Sequence, residues 1–115
     1  MYMEIVRRSE AEKFEDGSTF VAYEYATKDP DLNTARIELH GRYPAQGTMR
    51  NNNVKEVVYI ESGQGEVIID DVRQSVGQGD VVLFTKGERV VWDGTFVLIT
   101  SCAPAWSKEQ HEFLP

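Results

Sequence analysis

Seven short runs rich in β-branched and aromatic residues recur along this 115-residue chain, each stopped by glycine, proline, aspartate or asparagine. That punctuation limits the fold more than any other feature, because strands at short, regular spacing build a sandwich or a barrel. The runs predict strands at Thr19 to Tyr25, Ala35 to Leu39, Glu56 to Glu61, Gly65 to Asp70, Val81 to Thr85, Arg89 to Trp92 and Phe96 to Thr100. Asp70-Asp71 suits a tight hairpin, Gly77-Gln78-Gly79 breaks the chain before Val81, and Asp93-Gly94 carries a type I′ turn signal. Consecutive strands are therefore expected to be antiparallel. Asp29-Pro30-Asp31 and Tyr43-Pro44 mark loops, since the residue before proline is pushed out of the helical region. Helix signals occur only at the ends, where Ser9 with Glu12 and Ser107 with Gln110 match capping-box spacing.

The length suits one domain. We divide it into an N-terminal extension (1–18), a barrel (19–106) and a short C-terminal helix (107–115). Nineteen acidic against twelve basic residues give a net charge of −7, and Arg7-Arg8 is the only adjacent basic pair. That balance argues against a nucleic-acid groove or an anionic membrane surface. Apolar runs such as Val81 to Phe84 fall far short of the roughly 20 residues that span a bilayer. One cysteine, Cys102, allows no internal disulfide, and the first residues carry no apolar run of signal-peptide type, so a cytoplasmic protein is expected.

Two segments carry more specific information. Lys55 to Asp71 reads KEVVYIESGQGEVIIDD and Val76 to Trp92 reads VGQGDVVLFTKGERVVW. Together they resemble the two motifs of the cupin superfamily. Glu56, six residues and Gly63 match the end of the first motif; Gly79, five residues, and Gly87 match the second, with Thr85 and Val90 where cupins carry proline and histidine. The tail, with Pro104, Trp106 and Glu109 to His111, resembles that of small single-domain cupins. The resemblance implies an all-β fold: a small antiparallel β-barrel, the double-stranded β-helix or jelly-roll-like architecture, with short terminal helices. Because known cupins often pair through the barrel edge, it also implies a possible homodimer.

Metal-binding cupins hold their ion with two histidines ahead of the glutamate and a third in the second motif. Here those places fall on Arg50 and Asn52, or on Met49 and Asn51, and on Val90. Only Glu56 remains, and one carboxylate with neutral amides is a poor transition-metal ligand set. No metal and no cofactor are expected. His40 and Cys102 are the two residues able to rebuild a site. Alternation sets Ala35, Ile37 and Leu39 on one face and Arg36, Glu38 and His40 on the other, the solvent or barrel-mouth face. Cys102 reads as a packed apolar residue and His111 as a cation near a helix C-terminus.

Glu56 has two readings. It pairs with Lys55, Arg50 or Arg89 at the mouth, or it points inward, where desolvation raises its pKa and makes it a candidate catalytic acid or base. Asn51, Asn52 and Asn53 offer amides for a polar ligand. Of Tyr43, Tyr59, Trp92 and Trp106, at least two are expected in the core and the others against a ring. The expected ligand set is Asn51, Asn52, Glu56, His40, Tyr43 and Trp92. The expected function is binding of a polar small molecule such as a sugar or carboxylate. The alternatives are a cupin enzyme of isomerase, epimerase or dioxygenase type using Glu56, and a dimeric interaction module.

Overall fold

The computed structural model describes residues 3–115. Nine strands are present among these residues: β1 (Glu12–Asp16), β2 (Phe20–Tyr25), β3 (Asn33–Tyr43), β4 (Thr48–Asn51), β5 (Lys55–Ile69), β6 (Val72–Gly77), β7 (Val81–Phe84), β8 (Val90–Ala103) and β9 (His111–Leu114). Every pairing is antiparallel. Strand β8 is the spine: one edge pairs with β3 from Asn33↔Cys102 to Tyr43↔Trp92, the other with β5 from Lys55↔Ala103 to Ile69↔Val90. Beyond β3 lie β2 and then β1, while β5 takes β7 along its first part and β6 along its second. The short pair β4–β9 joins β8 at Met49↔Val90 and closes the far side. The result is a curled antiparallel sheet, an all-β barrel of the expected class.

Alternation along the central strands fills the interior. Phe96 and Leu98 of β8, Val58 and Ile60 of β5, Leu39 of β3 and Val90 are almost wholly buried and form one cluster with Trp92, Tyr43, Val67 and Phe84. Burial of this kind stabilises a small barrel by about 1.5–3 kcal/mol per large apolar side chain.

Two long strands stand where the turn signals predict four. Glu56–Glu61 and Gly65–Asp70 are one strand, β5, and the two runs flanking Asp93-Gly94 are one strand, β8. Gly94 makes no hairpin because it lies in register with Gly41 on one side and Gly65 on the other, a row of three glycines across the sheet. Two of the three are packed too closely for side chains: a Cβ on Gly65 would stand 2.4 Å from the carbonyl oxygen of Asp93 and 2.9 Å from the Phe96 ring, and one on Gly94 2.6 Å from the carbonyl oxygen of Gln64. A bulge between Ile60 and Ser62 adds to the bend. The Asp70-Asp71 hairpin forms as expected, both residues having positive φ (49° and 68°).

The terminal helices reduce to single 3₁₀ turns, Arg8–Glu10 and Lys108–Gln110. Sheet edges account for this. β9 pairs with β4 directly after the second turn, and β1, inside the stretch read as an extension, pairs with β2. No helix among the described residues is long and apolar enough to cross a membrane.

The glycine requirement can be tested at two sites. Gly63 (φ +95°) would place a Cβ 1.9 Å from the Thr95 carbonyl oxygen, whereas Gly79 (φ +88°) has nothing within 4 Å. Gly79→Ala is expected to cost the conformational strain alone, about 1–2 kcal/mol, and Gly63→Ala clearly more. Urea unfolding of both variants checks this, and equal losses would contradict the close-packed bend.

Candidate functional site

The inward faces of β2, β3, β5 and β8 enclose a cavity of about 470 Å³, lined also by Trp106, His111 and Phe113 of the C-terminal segment and by Lys13 and Phe14 of β1. Its walls are mostly apolar, built from Ala22, Ile37, Leu39, Val58, Phe84 and Leu98. Charged residues also border it, among them Glu12, Lys13, Glu24, Arg50 and Lys108, and one polar cluster, around Glu56, is joined by hydrogen bonds.

Glu56 is the centre of the cluster. The register puts it opposite Cys102 on β8 and opposite Phe84 on β7, so its side chain points inward. Thr100 Oγ1 donates to Glu56 Oε2 (2.5 Å) and Asn51 Nδ2 donates to Glu56 Oε1 (3.0 Å). Burial raises the carboxyl pKa, and the hydrogen bonds from Thr100, Asn51 and Cys102 only partly oppose it. Burial and the negative charge of Glu56 in turn push the Cys102 thiol up, away from the reactive thiolate. Cys102 therefore acts as a packed wall residue, as its apolar context suggests.

Asn51, only 3% exposed, is the most heavily bonded side chain in the cavity. Its Oδ1 accepts from Trp106 Nε1 (3.3 Å), Gln110 Nε2 (3.1 Å) and His111 Nδ1 (3.0 Å), while its Nδ2 serves Glu56. Pairing of Asn51 with His111 across β4 and β9 makes this arrangement possible.

The expected ligand residues separate. Glu56, Asn51, Tyr43 and Trp92 all line the cavity. Tyr43 stacks on Phe20 (4.2 Å between centroids) and its hydroxyl donates to Asp16 Oδ2 (2.9 Å). Burial and Asp16 both raise its pKa. Trp92 is a core residue as well, set edge-on to Phe96 at 5.4 Å. His40 lies outside the cavity. It is exposed, opposite Thr95, on the outward face that alternation assigns to it. Asn52 also lies outside, in the bend that follows β4; its side chain donates to Glu112 Oε1 (3.3 Å). Arg50 pairs with the same carboxylate (2.7 Å), so neither it nor exposed Lys55 and Arg89 neutralises Glu56. Tyr59 is exposed on the outer face. Thr100 and His111 join the cavity without having been expected there. Thr100 shares the inward alternation of Phe96 and Leu98 and was legible on that ground; His111 depends on the β4–β9 pairing, which no local pattern announces.

No family model matches the chain, and no curated protein matches it in sequence. Solved structures do match. Pac13 from Streptomyces, solved with uridine and described as a nucleoside dehydratase, is 18% identical with a TM-score of 0.88, over 99% of this chain and 92% of that one. An RmlC-like cupin from Shewanella frigidimarina is 17% identical with a TM-score of 0.73, over 94% and 95%. The chain has the cupin fold. KdgF from a Halomonas species agrees, at 15% identity and a TM-score of 0.73 over 94% and 98% of the two chains.

Within the cupin frame, the metal positions can be judged by their donors. Val90 is buried in the core and has no lone pair to offer, Met49 is partly buried against that core, Arg50 is a cation paired with Glu112 at the rim, and Asn51 is fully engaged. No group of three or more His, Cys, Asp or Glu among the described residues is placed to hold a metal ion. His40 and Cys102 do not converge. This donor set does not fit the transition ion that the fold often carries.

The raised pKa of Glu56 has a consequence for stability. The native state holds this proton more tightly than the unfolded chain, whose carboxyl titrates near 4.5. The contribution of Glu56 is therefore fully present below that value and is lost as pH rises through the raised native pKa. Relative to Glu56→Gln, the wild type is expected to lose stability as the pH rises above 4.5. Urea midpoints for both proteins across this range test it; a constant difference would contradict the desolvated carboxyl.

Proposed function

We propose that this barrel binds a small, uncharged, ring-containing metabolite of nucleoside or sugar type, and that Glu56 exchanges a proton with it. One observation carries the reading: a carboxyl group buried on the cavity wall, held by Thr100 and Asn51, with its pKa raised by desolvation. A neutral carboxylic acid at that point can donate to a ligand oxygen and then act as base, which is the tuning that acid–base catalysis requires. The apolar walls and the aromatic rings of Tyr43, Phe20 and Trp106 suit a flat ring. An uncharged ligand is favoured over a carboxylate because the three cations of the lining, Lys13, Arg50 and Lys108, are matched by three carboxyl groups, Glu12, Glu24 and Glu56, and two of the cations are already paired, Lys13 with Glu15 (2.9 Å) and Arg50 with Glu112. The nucleoside-processing neighbour Pac13, described with uridine, supports the same size and chemistry. Glu56, Tyr43 and Trp92 are the contacts this reading retains from the expected set, with Asn51 holding Glu56 in place, and it uses neither His40 nor Asn52.

A thermal-shift panel of uridine, other nucleosides, neutral sugars and sugar acids tests the reading. Ligand bound at ~100 times its Kd is expected to add about 2.7 kcal/mol of native stability, with neutral compounds ahead of acids. A panel without any stabiliser would sink it. For a compound that is turned over, Glu56→Gln is expected to lower kcat by ~10²-fold or more.

We infer also that the barrel forms a homodimer through the outer face of β5 and β7. Val57↔Leu83 and Tyr59↔Val81 are cross-strand pairs whose four side chains are 39–62% exposed. On β5 this apolar row runs from exposed Lys55 to exposed Glu61. A two-fold axis through its middle brings the Lys55 end of one copy to the Glu61 end of the other. Leu83→Lys is expected to yield monomers in light scattering, and a wild type that stays monomeric at high concentration would overturn the inference.

A further inference from the structure

The most informative unassigned group is His111. Its ring is fixed on three sides: Asn51 Oδ1 lies 3.0 Å from Nδ1, the Trp106 ring centroid is 5.4 Å away, and Phe113 stands edge-on at 5.0 Å. Which nitrogen carries the proton follows from a partner that has no choice. An indole N–H only donates, so Trp106 Nε1 requires the oxygen of Asn51 on its side, and His111 Nδ1 faces that same oxygen. Nδ1 must then be the protonated nitrogen. Nε2 of the neutral ring is left as an acceptor. It has no protein partner, and no side-chain nitrogen or oxygen of the described residues is buried without one, so Nε2 is accessible, on a residue that lines the cavity.

We propose that His111 is the ligand-facing hydrogen-bond acceptor of the cavity, the counterpart of Glu56, with Asn51 as the positioning residue that sets both. The carboxamide of Asn51 gives its N–H to Glu56 and takes the N–H of His111, so it links the two groups while fixing which end of each meets the ligand. Burial lowers the imidazole pKa, which keeps the neutral form available near pH 7. This inference rests on the proposed ligand-binding role of the cavity and sharpens its chemistry. The ligand must offer a hydroxyl or N–H to Nε2 and an oxygen to the protonated Glu56, as a vicinal diol or a hydroxy carbonyl compound does. Where the donor is acidic, its X–H bond breaks as an N–H bond forms on Nε2, leaving an imidazolium and the ligand anion.

Two measurements on the full chain test this. The first is the histidine side-chain ¹⁵N spectrum without ligand, with His40→Gln used to assign the only other histidine. His111 is expected as the Nδ1–H tautomer, and Asn51→Ala is expected to shift it toward Nε2–H, the form free histidine prefers. An Nε2–H tautomer in the wild type would overturn the proposal whether or not any ligand binds. The second is acylation of the imidazole by diethyl pyrocarbonate, followed by peptide mass spectrometry. Modification of His111 is expected to slow at least fivefold with a saturating nucleoside or sugar that raises Tm. Undiminished modification beneath a compound that does bind would overturn the ligand-facing role. If no compound raises Tm, the binding reading fails, and with it the ligand-facing role of His111, while the tautomer result stands on its own.

Discussion

Everything in this molecule hangs on β8 being paired along both edges. Its partners β3 and β5 supply ladders along almost its whole length, and its inward residues set the interior in sequence: Phe96 and Leu98 in the core, then Thr100 and Cys102 at the polar end of the cavity. Core and site are successive stretches of one strand. A one-residue slip in either ladder would turn Thr100 outward, strand Glu56 without its donor, and expose Phe96 at the same time. The barrel's stability and the geometry around Glu56 are thus set by the same register.

The carboxyl group of Glu56 is where the fold departs from what is cheapest. An apolar residue would pack there at no electrostatic cost, whereas a carboxylate in this cavity is disfavoured by desolvation even with two hydrogen bonds in place. Those bonds come from Thr100 on β8 and Asn51 on β4, and Asn51 is itself held by Trp106, Gln110 and His111. The C-terminal segment therefore acts on Glu56 through a single carboxamide. Polar networks in a low-dielectric interior hold position well when every member is satisfied, and this one leaves no buried side-chain nitrogen or oxygen of the described residues unpartnered.

Local chemistry made the fold class legible: strand-length runs, the Asp70-Asp71 hairpin, and glycines spaced as in the cupin motifs. Alternation correctly put Leu39 inside and His40 outside, which already weakened His40 as a ligand. What local patterns obscured were features fixed by distant partners. Asp93-Gly94 reads as a turn until Gly41 and Gly65 flank it, and Ser107 with Gln110 reads as a helix start until β4 offers His111–Leu114 an edge. Asn51 and Asn52 are chemically identical in the sequence, and only the direction of β4 decides which one meets Glu56. His111 read as a cation near a helix C-terminus because its pairing with Asn51 is likewise set by a distant strand.

The crossing of Gly41, Gly94 and Gly65 carries a lesson about how such barrels diverge. Curvature here is written largely in missing side chains and one bulge, with the Phe96 ring filling the space over Gly65 and Gly94. The shape and the chemistry of the interior are in that sense separately encoded. Residues at the polar end of the cavity lie apart from that bend, which is consistent with a chain that superimposes closely on proteins sharing fewer than one residue in five with it.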